Sequence, residues 1–170
     1  MNSPDARLKA LRFALVAVLA LVSLSVCADG AAAVTCKFTT SAMSFGNYDP
    51  SSAGVTDGTG SVGVNCTNTG NTATVSVALS IGPGNFGTVA SRLMQKTSGQ
   101  QLNYNLYRDS GRAQIWGTGS GGYSTGTISI TNIARNASKT GSFTVYGRIP
   151  PLQNAQAGTY TDGVVITISP

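Results

Sequence analysis

From Cys36 onward, apolar residues recur at every second position in short runs, and no stretch carries a helical period. The clearest run covers 72–81, where Ala73, Val75, Val77, Leu79 and Ile81 share one side and Thr72, Thr74, Ser76, Ala78 and Ser80 the other. Such a strand has one face against a core and one in water. The same alternation predicts strands over 36–40, over 60–67 with Val62, Val64 and Cys66 inward, and over 102–108 with Leu102, Tyr104 and Leu106 inward. Further strands are predicted over 126–131, 141–149 and 160–169, the last with Val164, Ile166 and Ile168 on one side. Short edge pieces are expected over 43–48 and 92–94.

The breaks between these runs have turn chemistry. Asp49-Pro50-Ser51-Ser52, Asp57-Gly58, Asn68-Thr69-Gly70-Asn71, Gly82-Pro83-Gly84-Asn85 and Asp109-Ser110-Gly111 all use residues that preset or tolerate turn dihedrals. On this reading Asp49, Asp57 and Asp109 are turn formers. The glycine-rich run 117–122 reads as a mobile surface loop. Seven short strands separated by turns describe an antiparallel β-sandwich.

The first 33 residues follow a different pattern. Arg7, Lys9 and Arg12 precede an apolar stretch from Phe13 to Val26, and small residues follow at Ala28, Ala31, Ala32 and Ala33. That order describes a secretory leader, cut after Ala33 or, second, after Ala28. The apolar stretch is shorter than the roughly 20 residues a spanning helix needs. Cys27 after Leu24-Ser25-Val26 also admits a lipid-attachment reading, although Val26 fits poorly before such a cysteine. Residues 1–33 are therefore expected to be a cleaved signal peptide and 34–170 one β-sandwich domain.

Loss of Cys27 with the leader would leave Cys36 and Cys66, an even pair in an exported chain, for which a disulfide is the default. The net charge of +5 falls to about +4 once three leader cations and two leader aspartates are removed from 11 Lys and Arg and 6 Asp. The remaining cations are scattered singly, without the clustered stripe that a phosphate backbone demands, so nucleic acid is not an expected partner.

Catalysis is poorly served by this composition. The chain contains no histidine and no glutamate, which removes the imidazole base, the glutamate acid and the histidine metal ligand together. Lys37, Lys96 and Lys139 do not stand in a Ser-x-x-Lys arrangement, and no loop gathers the carboxylates of a calcium site. No cofactor and no metal are expected. Among the aromatics, Tyr104 and Phe143 fall on inward strand faces and Tyr107 and Tyr146 on the opposite ones. Trp116, next to the glycine-rich run, fits either a core plug or an exposed contact. Trp116 and Tyr107 are the candidate exposed aromatic contacts.

Several motifs, taken in order, carry a family resemblance: Phe45-Gly46-Asn47-Tyr48-Asp49, Val64-Asn65-Cys66-Thr67, and Leu102-Asn103-Tyr104-Asn105-Leu106-Tyr107-Arg108-Asp109. Ile115-Trp116-Gly117, Val145-Tyr146-Gly147-Arg148-Ile149-Pro150 and Ala157-Gly158-Thr159-Tyr160-Thr161-Asp162 complete the set. This set resembles the spore coat protein U family, whose domain also serves as subunit of archaic chaperone-usher pili. The resemblance implies an incomplete immunoglobulin-like antiparallel β-sandwich that lacks its last strand. It further implies an acceptor groove lined by Val164, Ile166 and Ile168, filled first by a periplasmic pilus chaperone and then by a strand from a neighbouring subunit.

The implied function is a structural subunit of a surface pilus or coat, exported to the periplasm and assembled with an outer-membrane usher. A cut after Ala33 leaves only Val34 and Thr35 before Cys36, too little for a donor strand of about ten residues. A terminal or coat-type position follows. The second reading is a fibre-tip adhesin domain that binds a glycan or a surface.

Overall fold

The computed structural model describes residues 33–170, so the expected leader up to Ala32, its second cleavage site after Ala28 and Cys27 lie outside the described residues. Eight strands follow one another: β1 (Val34–Ser44), β2 (Thr56–Asn68), β3 (Ala73–Ile81), β4 (Arg92–Gln95), β5 (Gln101–Tyr107), β6 (Gly126–Ile133), β7 (Ala137–Ile149) and β8 (Ile166–Ser169). They form a five-stranded sheet in the order β1-β2-β7-β5-β4 and a three-stranded sheet in the order β6-β3-β8, all pairings antiparallel. This is the antiparallel β-sandwich expected from the alternation, with the immunoglobulin-like arrangement of two sheets that the family resemblance implies.

Period-two patterning decides what each strand contributes to the core. In β3, Ala73, Val77, Leu79 and Ile81 are buried and Thr74 and Ser76 exposed, while in β2 Val62, Val64 and Cys66 are all buried. Ile128, Ile130, Val145 and Ile149 come from the facing strands to complete one contiguous cluster. Burying an aliphatic side chain of this size contributes about 1.5–3 kcal/mol. Cys36 stands directly opposite Cys66 in the β1–β2 ladder, and the two form a disulfide. The bridge joins neighbouring strands of one sheet, near the start of β1.

Four details depart from the sequence expectations. The last strand begins at Ile166, not at Tyr160, because residues 162–164 have no ladder partner, between Thr161, bridged to Gln95, and Val165, whose carbonyl accepts from the Gly82 amide. The piece expected over 43–48 splits, with Met43 and Ser44 finishing β1 and Phe45 to Tyr48 leaving the ladder. Asp57 is no turn former: it lies in β2 and takes a two-pronged ion pair from Arg148 on the neighbouring strand, at 2.8 and 2.9 Å. Finally, the glycine-rich run is fastened. The Gly117 amide donates to Ser124, the Gly117 carbonyl accepts from Ile81, and Gly119 bonds Tyr123. Close contacts with Tyr123 and Val89 leave no room for a side chain at Gly117.

Candidate functional site

β1 pairs only with β2, and β8 only with β3, so each sheet ends in a strand with one unpaired edge. Between these edges runs an open groove of about 1010 Å³. Its first wall is the distal part of β1 and the segment that follows, Thr40 to Tyr48. The second wall is residues 155–162 with Val164 and Ile166. The floor is the core itself, including Val62, Met94, Leu106, Trp116 and Ile149.

Glycines set the first wall in place. Gly58 and Gly147 are directly paired across β2 and β7, and Met43 and Phe45 lie over them. A Cβ on Gly147 would stand 2.6 Å from the Phe45 ring and still closer to the Met43 sulfur. The missing side chains thus make the trough in which the wall sits. Phe45 also meets the Tyr104 ring edge-on at 5.9 Å, and the Tyr48 hydroxyl accepts from the Gln153 amide at 2.7 Å, which ties the first wall to the segment leading into the second.

The second wall is held by a polar anchor. Tyr104 rises from β5 and its hydroxyl donates to Asp162 at 2.6 Å, while the Asn85 and Gly163 amides donate to the other carboxylate oxygen. Burial raises the Tyr104 phenol above its ordinary range, and the Asp162 carboxylate reinforces the shift. Behind it lies Arg92, which has no exposure at all. Its guanidinium donates five hydrogen bonds, to the carbonyls of Gly82 (twice), Val89 and Trp116 and to the Asn105 side chain. Desolvation lowers its pKa, with Tyr104 and Asp162 opposing. Four acceptors on four separate segments let one cation join β4, β5 and the loops beside the floor.

Of the residues expected to line an acceptor groove, Val164 and Ile166 are half-buried and stand in the second wall. Ile168 does not line it. It pairs with Leu79, one inward position past the Ile81–Ile166 pair, and is 36% exposed beyond the lining. Trp116 is fully buried, its indole nitrogen donating to the Leu79 carbonyl at 2.8 Å and its ring 5.0 Å from that of Phe143. It is a core plug and floor residue, which corrects its candidacy as an exposed contact. Tyr107 is half-buried on the outer face of the larger sheet, directly opposite Tyr146.

Sequence reasoning missed Arg92, Asn105 and Tyr160. A cation and an amide give no burial signal in an alternating pattern, and the alternation places Tyr160 in a ladder although it lines the groove. No group of three or more potential metal ligands occurs among the described residues.

The Spore Coat Protein U domain matches residues 22–167, starting inside the stretch expected to be leader. A curated relative, Protein U of Myxococcus xanthus, is 36% identical over 135 residues, covering 75% of this chain and 70% of that protein. Among solved structures, the chain superposes with TM-score 0.52 on the CsuC–CsuE chaperone–tip adhesion subunit complex from archaic chaperone-usher Csu pili of Acinetobacter baumannii. That likeness has 19% identity and covers 79% of this chain but 39% of the other, so it speaks to the fold. Matched over most of its length, the chain belongs to the Spore Coat Protein U domain family.

Proposed function

We infer that the protein is a structural subunit of a surface pilus or coat, carried through the periplasm by a chaperone and assembled by strand complementation. The observation that carries this reading is the pair of unpaired strand edges flanking an apolar groove whose floor is the hydrophobic core. An exposed edge is a template for another strand, and a strand laid here would bond β1 on one side and β8 on the other. Its alternate side chains would enter between Met43 and Phe45 on one wall and Val164 and Ile166 on the other. The solved relative is itself a chaperone–subunit complex, which favours a chaperone as first occupant.

The roles of usher client and of a terminal or coat-type position belong to the same proposal. The latter depends on where the leader is cut, and mass spectrometry of the mature N-terminus reports it. No catalytic role is assigned.

Co-expression with a periplasmic pilus chaperone tests the central claim. The two proteins should co-purify as a stable complex, and Ile166→Asp, which places a charge in the groove wall, should abolish recovery of the complex. A stable soluble monomer, recovered alone with neither partner nor added strand, would overturn it.

A further inference from the structure

Outside the groove, the outer face of the larger sheet joins a field of hydroxyls to an aromatic cleft. The ladders of β1, β2 and β7 align its outward side chains in rows across three strands. The first two rows are Thr35–Thr67–Ser138 and Lys37–Asn65–Thr140. The next two are Thr39–Gly63–Ser142 and Ser41–Ser61–Thr144. Strand geometry fixes the grid at about 4.8 Å across the strands and about 7 Å along them. Apart from Lys37 every position is uncharged, and all but Lys37, Asn65 and Gly63 carry a hydroxyl. Ordinary solvated faces carry charges on roughly a quarter to a third of positions.

Apart from Lys37, the cations of the described residues lie off the grid. Arg92 is buried, Lys96 is bonded to the Ala157 carbonyl, and Arg112 and Arg148 flank Asp57. One row beyond the grid, Thr59, Tyr146 and Tyr107 stand side by side. The Arg112 guanidinium lies 5.7 Å from the Tyr146 ring centre and covers it, which leaves Tyr107. Tyr107 lines a cleft of about 310 Å³ together with Asn103, Ile115, Arg148 and Gln153. The one charged group in this cleft, Arg148, is held by the Asp57 carboxylate.

We propose that this face docks an uncharged polysaccharide, which lies along the hydroxyl grid and ends with a sugar ring against Tyr107 in the cleft. The partner's chemistry follows from the charge of the face. An anionic glycan would be met by several arginines and lysines, a cationic surface by carboxylates, and the grid supplies a single lysine and no carboxylate. Hydroxyls both donate and accept, as sugar hydroxyls do, and can bond a neutral chain in many registers. A half-buried tyrosine provides an apolar ring face with a polar tip, which suits the C–H and O–H sides of a pyranose. The proposal goes beyond the groove reading, since the groove opens between the sheets and the grid lies on the outer surface.

Retention of the purified protein, held by its chaperone or a groove-filling peptide, is measured on insoluble β-1,4-glucan, β-1,3-glucan and α-1,4-glucan, with an alginate gel as the anionic comparison. Retention on at least one glucan should survive about 1 M salt, which screens ionic contacts. It should fall by about tenfold or more in Tyr107→Ala and in Thr39→Glu/Thr140→Glu. Thr74→Glu/Ser129→Glu, on the outer face of the smaller sheet, should leave it unchanged. The proposal fails if no glucan retains the protein, if the grid variants bind like the parent, or if binding is confined to alginate and lost in salt. It also fails if the same substitutions abolish self-association instead, since the face would then join copies of this chain. Chaperone co-purification is unaffected by any of these outcomes.

Discussion

Arg92 is the residue on which most of the interior polar structure converges. All its partners are neutral, so its charge is balanced by carbonyl and amide dipoles rather than by a carboxylate in contact. Arg92→Met should cost more than about 3 kcal/mol in urea unfolding, because several buried acceptors lose their donor at once. Tyr104 gives a pH prediction. Its folded-state pKa is raised, so the stability it contributes is complete below the unfolded value of about 10 and is lost as pH climbs above it. Alkaline unfolding should therefore begin at higher pH in Tyr104→Phe than in the parent, although that variant lacks the bond to Asp162 and is weaker at neutral pH. Asp57 has the opposite sign. The Arg148 hydrogen bonds hold its pKa below the ordinary value, so its contribution is present at neutral pH and lost as pH falls through the acid carboxylate range. In Arg148→Gln the Asp57 titration, followed by NMR, should move upward.

At the scale of elements, the strands were legible in the sequence because alternation and burial have the same period. β3 shows it best, its five apolar positions all facing the core side. What alternation could not show is which strands have partners. Val164 alternates with Ile166 as it would in a ladder, but residues 162–164 have no ladder partner, so the strand starts late. The groove is therefore a consequence of topology, and only the family resemblance suggested it. Glycines carried a second hidden signal. Gly147 reads as an unremarkable break in β7, yet it makes room for Met43 and Phe45. Gly147→Val should displace the first wall and reduce chaperone capture at least about tenfold while the disulfide still forms. The reverse selectivity is expected of the bridge. Its loop spans 30 residues, and Cys36→Ser/Cys66→Ser should lose about 3–4 kcal/mol of stability, read as a lower urea midpoint.

For the molecule as a whole, the two outer faces and the groove divide the surface by chemistry. The groove is apolar and bounded by free strand edges, whereas the sheet faces are hydroxylated and nearly free of charge. The bridge between Cys36 and Cys66 divides β1 in another way. Everything on its far side, Lys37 to Ser44, is held to β2 by hydrogen bonds and packing alone, and this part includes the groove wall. A strand seated in the groove and pulled would load that part first. Peeling could advance along the ladder only as far as Cys36, where a covalent bond stops it. In single-molecule stretching, the oxidised protein should thus withhold the 30-residue loop, and reduction should add about 100 Å to the released length. Mechanically, the disulfide is a zip stop that confines damage under tension to the part of β1 that can be re-formed by re-seating the strand.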